Sequence, residues 1–149
     1  VRAALTLPLR KDRVYMIVDL DEEAVNIAFI QNEQILMTRS VGLATSFKQI
    51  LNSNEALTDD DTQSMGTTLT ADLRTSLLYF HNTKPGIELE RILLTGTTEH
   101  LSELAAVLDE QLQISVEIPH YYPLLGGISA EEVRKYAACI GLAMRGWEE

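Results

Sequence analysis

Val14–Ile30 reads VYMIVDLDEEAVNIAFI, and about seventy-five residues later Arg91–Gly96 reads RILLTG. Val14 to Leu20 is apolar on both sides of its alternation, which is what a central strand covered on both faces requires. It runs into Asp19, turns within a few residues at Asp21-Glu22-Glu23, and returns as a second strand from Ala24 to Ile30 that sets Val25, Ile27 and Phe29 on one face. The second stretch is again a short apolar strand, Arg91 to Thr95, ending at Gly96 and followed by Thr97-Thr98-Glu99, which suits a helix start. Two interior strands that end in a carboxylate and a glycine predict an α/β sheet whose chemistry sits at the strand ends.

Outward from these strands the pattern continues. Gln34 to Val41 alternates so as to place Ile35, Met37 and Val41 together, after a Gln31-Asn32-Glu33 turn. Three consecutive strands then make an antiparallel meander with Val14–Leu20 in its interior. Past Gly42 the period becomes helical, first from Ala44 to Leu51. After a polar stretch from Asn52 to Ser64, expected as a loop, Leu69, Leu73, Leu77 and Phe80 recur at helical spacing, and Lys84-Pro85-Gly86 ends that helix. A helix carrying Leu101, Leu104, Leu108 and Leu112 on one side follows the Arg91–Thr95 strand, then a short strand from Ser115 to Ile118. A last helix opens at Ser129 with Glu132 in capping-box register and ends at Gly146. Later strands return by right-handed crossovers. The expected fold is a five-stranded mixed sheet, a three-stranded antiparallel meander plus parallel strands, flanked by helices, with Val14–Leu20 parallel to Arg91–Thr95.

Length and charge narrow the function classes. The 149 residues suffice for one domain with a real core. Twelve Lys and Arg against twenty-two Asp and Glu give a formal net charge of −10, which opposes long-range attraction to nucleic acid or an anionic membrane. No run approaches the ~20 apolar residues that span a bilayer. The chain starts at Val1 without a Met, a basic n-region or an apolar h-region, and so reads as a piece of a longer protein. Its single cysteine, Cys139, has no partner for a disulfide or a zinc motif, which fits a reducing cytoplasm.

The segment 17–42, IVDLDEEAVNIAFIQNEQILMTRSVG, resembles the opening of the second lobe in the type IV pilus assembly protein PilM family, where a strand leads into Asp-Ile-Gly and a third strand ends in Gly. Leu69–Phe80 is similar to that family's mid-lobe helix. Segment 91–124, RILLTGTTEHLSELAAVLDEQLQISVEIPHYYPL, is similar to its Ile-Leu-Leu-Ser-Gly-Gly strand, following helix and closing strand. Segment 137–146, AACIGLAMRG, is close to its Ala-Ile-Gly-Leu-Ala-Leu-Arg-Gly ending. The resemblance covers nearly the whole chain and about half of a two-lobed protein. It implies a ribonuclease H-like, actin-like lobe in which Asp19 and Asp21 form the phosphate turn and Gly96 and Thr97 support the nucleoside. ATP and Mg²⁺ are then cofactors of the two-lobed protein, not of this lobe alone. Other pilus-assembly or secretion proteins at the inner membrane are the implied partners, beside the second lobe of the same chain and a second copy of this lobe covering the face the missing lobe leaves. A cytoplasmic location and a scaffold role follow from the same resemblance. The cytoplasmic domain of a GspL-like type II secretion protein is built on the same plan.

Both turns depart from that family. The Gly two residues after Asp19 is Asp21, with Glu22 and Glu23 behind it, and each carboxylate near a polyphosphate is repulsive by on the order of 1 kcal/mol. Asp21 can also serve as an oxygen ligand for Mg²⁺. The second Gly of Gly-Gly is Thr97, which puts a side chain where backbone would meet adenosine. These departures predict a weak or degenerate nucleotide site; an active actin-like ATPase or kinase is the alternative.

The remaining reactive residues give little. His81, His100 and His120 lack metal-ligand spacing. Asp59-Asp60-Asp61 follows Thr58 and suits a capped helix start better than a calcium loop. Ser40 and Ser46 lie in no nucleophile elbow. Cys139 reads as a small buried hydrophobe, and Trp147 as a chain end or docking point. A two-metal nuclease needs further carboxylates beside Asp19, and Arg91–Thr95 supplies none.

Overall fold

The computed structural model describes residues 9–119 apart from 11, 22, 33, 52–57, 97 and 99. The helix expected from Ser129 to Gly146, together with Thr97, His120, Cys139 and Trp147, lies outside the described residues.

Five strands form one sheet: β1 (Val14–Leu20), β2 (Ala24–Gln31), β3 (Gln34–Gly42), β4 (Leu89–Gly96) and β5 (Val116–Glu117), in the order β3-β2-β1-β4-β5. The meander pairs antiparallel, and β1 pairs in parallel with β4, as does β4 with β5. Among the described residues three helices accompany them: α1 (Thr45–Leu51), α2 (Asp59–Thr83) and α3 (Leu101–Leu112). The expected mixed five-stranded sheet with flanking helices is thus the observed one.

Alternate residues of β1 feed two different packing layers. Val14, Met16, Val18 and Leu20 join Val25, Ile27, Phe29, Ile92 and Leu94 and the inner stripes of α2 and α3 in the main core. The other face holds a smaller buried cluster, Tyr15, Ile17, Ala28, Ile30 and Leu93. At the centre of the main core Phe29 stacks on Phe80, with ring centroids 4.2 Å apart and planes 5° apart.

Helix α2 is longer than the apolar period indicates, because its first turn overhangs solvent. Thr58 caps it: its hydroxyl accepts from the Asp61 backbone N–H at 3.1 Å, while the Asp61 carboxylate accepts from the Thr58 backbone N–H at 3.3 Å. The three aspartates therefore sit at the helix's positive end, as Thr58-Asp59-Asp60-Asp61 implies. The stretch expected as a loop up to Ser64 is helical from Asp59 onward. Where α2 crosses α3, Gly66 lets the helices approach; a Cβ there would lie 2.2 Å from Val107 Cγ1. Arg74 on α2 donates to the Gln111 carbonyl at 2.6 Å, satisfying one of the orphan acceptors in the last turn of α3. Val116 is tied in by the Asp109 carboxylate, and Arg91 donates to Glu117 at 2.6 Å, clamping the two-residue β5 to β4.

One face assignment needs correction. The β2–β3 register shifts between Phe29 and Ile30, so Phe29 faces Met37 while Ile30 faces Ile35, and Leu36 is the extra residue of a β-bulge. Met37 and Val41 keep their expected face. Ile35 does not: it is 54% exposed, and Leu36 packs against the main core in its place. An uninterrupted alternation cannot anticipate an inserted residue.

Candidate functional site

The ends of β1 and β4 meet. Leu20 stands opposite Gly96 and Asp19 opposite Thr95. Across the other edge of β1, Asp19 faces Asn26, and Asn26 in turn faces Ser40. Ser40, Asn26, Asp19 and Thr95 thus form one polar row across four strands, on the sheet face that carries the smaller apolar cluster. Ser40 Oγ donates to Asn26 Oδ1 at 2.9 Å. At the other end of the row Thr95 is only 6% exposed, and its hydroxyl has no hydrogen-bond partner among the described residues. A buried hydroxyl left unpaired costs free energy, and Thr70 on α2 is in the same state.

Asp19 is half-buried, and its burial holds the carboxyl above the ordinary aspartate range; the negative charge of Asp21 pushes it the same way. Desolvation and a like charge both disfavour the ionised form. A carboxylate kept in that setting is primed to accept hydrogen bonds, orient a water or meet a cation.

The turn that carries Asp21 is a hairpin end in which Asp21 N–H donates to the Ala24 carbonyl at 3.0 Å. Its position does not call for glycine: the non-glycine residues with positive φ among the described residues are Asn32 and Gln113, and Asp21 is not one of them. The turn is fastened from outside, since Leu43 N–H donates to the Glu23 carbonyl and Lys48 on α1 forms an ion pair with the Glu23 carboxylate. Lys48 therefore offsets part of the acidic turn, a contribution that its place on the short helix did not reveal.

Gly96 has a reason of its own within the fold. With φ at +154°, a Cβ would meet the Leu20 carbonyl oxygen at 2.5 Å and Leu20 Cβ at 2.9 Å. The close approach of two strand ends demands glycine here whether or not a ligand lies nearby. Asp19, Asp21 and Gly96 are brought to the same end of the sheet; Thr97, the fourth expected site residue, lies outside the described residues. Asn26, Ser40 and Thr95 were missed in the sequence, because only the strand register aligns them with Asp19.

Among the described residues no group of three or more His, Cys, Asp or Glu is arranged to hold a metal ion. Asp19 and Asp21 offer the one or two carboxylates that Mg²⁺ takes when phosphate and water complete its shell, so they fit that ion only in company with a polyphosphate. No described helix is long and apolar enough to cross a membrane.

No protein-family model matches the chain, and no curated protein matches it in sequence. Solved structures do match in shape. A chain of the PilM-PilN type IV pilus biogenesis complex superposes with a TM-score of 0.71 at 22% identity, covering 93% of this chain and 47% of that one. The ethanolamine utilization protein EutJ from Carboxydothermus hydrogenoformans gives 0.57 at 13% identity, over 80% of this chain and 48% of that one. The activator of the 2-hydroxyisocaproyl-CoA dehydratase from Clostridium difficile, with bound ADPNP, gives 0.54 at 10% identity, over 99% and 67%. The chain spans about half the length of the first two. What these likenesses have in common is a single architecture, and the chain has the fold of an actin-like, ribonuclease H-like lobe.

Proposed function

We propose that this chain is a scaffold lobe of a PilM-like type IV pilus assembly protein, with a nucleotide site weakened at the Asp19 turn. The fold shared with a chain of the PilM-PilN complex supports the assignment. Its partners are then the second lobe of the same protein and other pilus-assembly or secretion proteins at the inner membrane, met from the cytoplasmic side.

The observation that carries the weak site is the effect of Asp21 on Asp19. A charge that disfavours ionisation of its neighbour also disfavours an incoming polyphosphate at the same strand end. Loss of one charge-assisted contact at each of Asp21 and Thr97, at roughly 1.5 kcal/mol apiece, lowers affinity about a hundredfold. ATP and Mg²⁺ binding is then marginal, and partners rather than a hydrolysis cycle set the state of the protein. A nucleotide-binding reading draws on one observation, the ADPNP held by the dehydratase activator of the same fold.

Calorimetric titration of the two-lobed protein with Mg-ATP, beside its Asp21→Gly/Thr97→Gly variant, separates the two. Because Asp21 has no strained φ to relieve, a gain at that position reports charge and access. Weak binding by the unaltered protein and a clear gain in the variant are expected. Micromolar binding by the unaltered protein, or no gain in the variant, rejects the weakened site and favours the ATPase reading.

A further inference from the structure

One face of the sheet is shielded although no described helix lies on it. Tyr15, Ile17, Ala28, Ile30 and Leu93 are between 1% and 5% exposed, while α1, α2 and α3 give their inner apolar residues to the opposite face. Among the described residues only Leu9 packs against this cluster from outside it, beside Arg10, whose N–H donates to Tyr15 Oη at 2.9 Å. These exposures are those of a single chain. The atoms that shield the face therefore belong to the same chain and not to a second copy or another protein.

The outline of the shield is drawn by what it leaves bare. Thr38 and Ser40 on β3 and Glu117 on β5 lie on the same face and are exposed, while the cluster residues of β2, β1 and β4 between them are buried. At the site end Thr95 is buried, Asp19 half-buried and Asn26 exposed. The covered strip is thus three strands wide, about 10 Å at ~4.8 Å per strand. Its length is that of β1, about 23 Å at ~3.3 Å per residue. A single α-helix about 10–12 Å across, rising ~1.5 Å per residue, fills it with roughly 16 residues.

We infer that segment 129–146, SAEEVRKYAACIGLAMRG, is that cover, and that it forms one wall of the candidate site over Thr95 and Asp19. At helical spacing Ala130, Val133, Ala137, Ile140 and Met144 fall on one side, and Glu131 and Lys135 on the opposite one. The other segments outside the described residues fit the strip less well. Residues 1–8 make at most one extended strand, about 5 Å wide; 52–57, NSNEAL, are largely polar, and Pro123 and Gly126-Gly127 break any regular element in 120–128. The inference is independent of whether the chain binds nucleotide.

Cysteine pairing on the whole chain tests it. In a Cys139→Ala background, Ile17→Cys is combined in turn with Val133→Cys, Ala137→Cys and Ile140→Cys, and with the outward Glu131→Cys and Lys135→Cys as controls. Under mild oxidation at least one inward pair is expected to form an intrachain disulfide and neither control to do so. Thr95→Cys is expected to pair with a cysteine at one end of the segment, Ala130→Cys or Met144→Cys. In urea denaturation without any new cysteine, Ile140→Ala is expected to lower the midpoint and Lys135→Ala to leave it in place. Controls that pair as readily as the inward positions, no inward pair, no pair with Thr95→Cys, or equal midpoints for the two alanine variants overturn the proposal.

Discussion

Replacing Gly96 by Ala asks whether that glycine serves the fold or a ligand. The added Cβ meets the carbonyl oxygen of Leu20 at 2.5 Å, Leu20 Cβ at 2.9 Å and the Leu20 carbonyl carbon at 3.2 Å. Two of these are backbone atoms in the central strand, so no rotamer change relieves the clash; the ends of β1 and β4 must part. Overpacking of this kind costs about 1–3 kcal/mol, and a side chain at this positive φ adds about 1–2 kcal/mol. The sum, roughly 2–5 kcal/mol, is a large share of the 5–15 kcal/mol that holds a domain together. With a urea dependence of about 2 kcal/mol per molar, the unfolding midpoint is expected to fall by about 1–2.5 M, with no nucleotide in the sample. An unchanged midpoint would refute the reasoning, leaving Gly96 without a structural role and returning it to the ligand.

Two other outcomes follow from the same structure. Gly66→Ala presses on the Cγ1 of Val107 and is expected to destabilise by about 1–3 kcal/mol; with Val107→Ala the two effects are expected to total less than their sum in urea denaturation, by about 1 kcal/mol. Asp19 has its folded pKa raised by burial and by Asp21, so its ionised form opposes folding above the unfolded value, and that penalty is removed as pH falls through the folded pKa. Asp19→Asn is therefore expected to raise the thermal midpoint at neutral pH, against the ~1 kcal/mol loss usual for a substitution, with the advantage disappearing in acid; a variant less stable than wild type at neutral pH contradicts this.

Much of the sheet was legible because β1 and β4 are apolar on both faces, a pattern that fits only interior strands. The cap of α2 was legible too, since Thr58 and Asp61 satisfy each other locally. The first turn of α2 was not: its residues look out to solvent, and the apolar period begins only at Met65, where the helix reaches the sheet. Nor was the bulge at Leu36, which belongs to the pairing of two strands rather than to either one. At the candidate site, Asp19 stood out as a carboxylate ending a buried strand. Asn26, Ser40 and Thr95 look ordinary in sequence and acquire meaning only from the register that lines them up beside it.

β1 acquires its two neighbours at different times in synthesis. β2 and β3 follow it directly, so a three-stranded meander is complete once Gly42 has left the ribosome, whereas the parallel side of β1 waits for Gly96, roughly fifty residues later. At about 5–20 residues per second that interval lasts several seconds, and until α2 is made the meander's apolar face has no helix packed on it. During it the backbone edge of Val14–Leu20 that β4 will pair with stands open to any extended chain nearby. Closing that long loop is also the entropically slow part of refolding. The strand that anchors the finished sheet is thus half-paired while two helices are being made, and a slow or chaperone-dependent step in its biogenesis belongs at the β1–β4 seam.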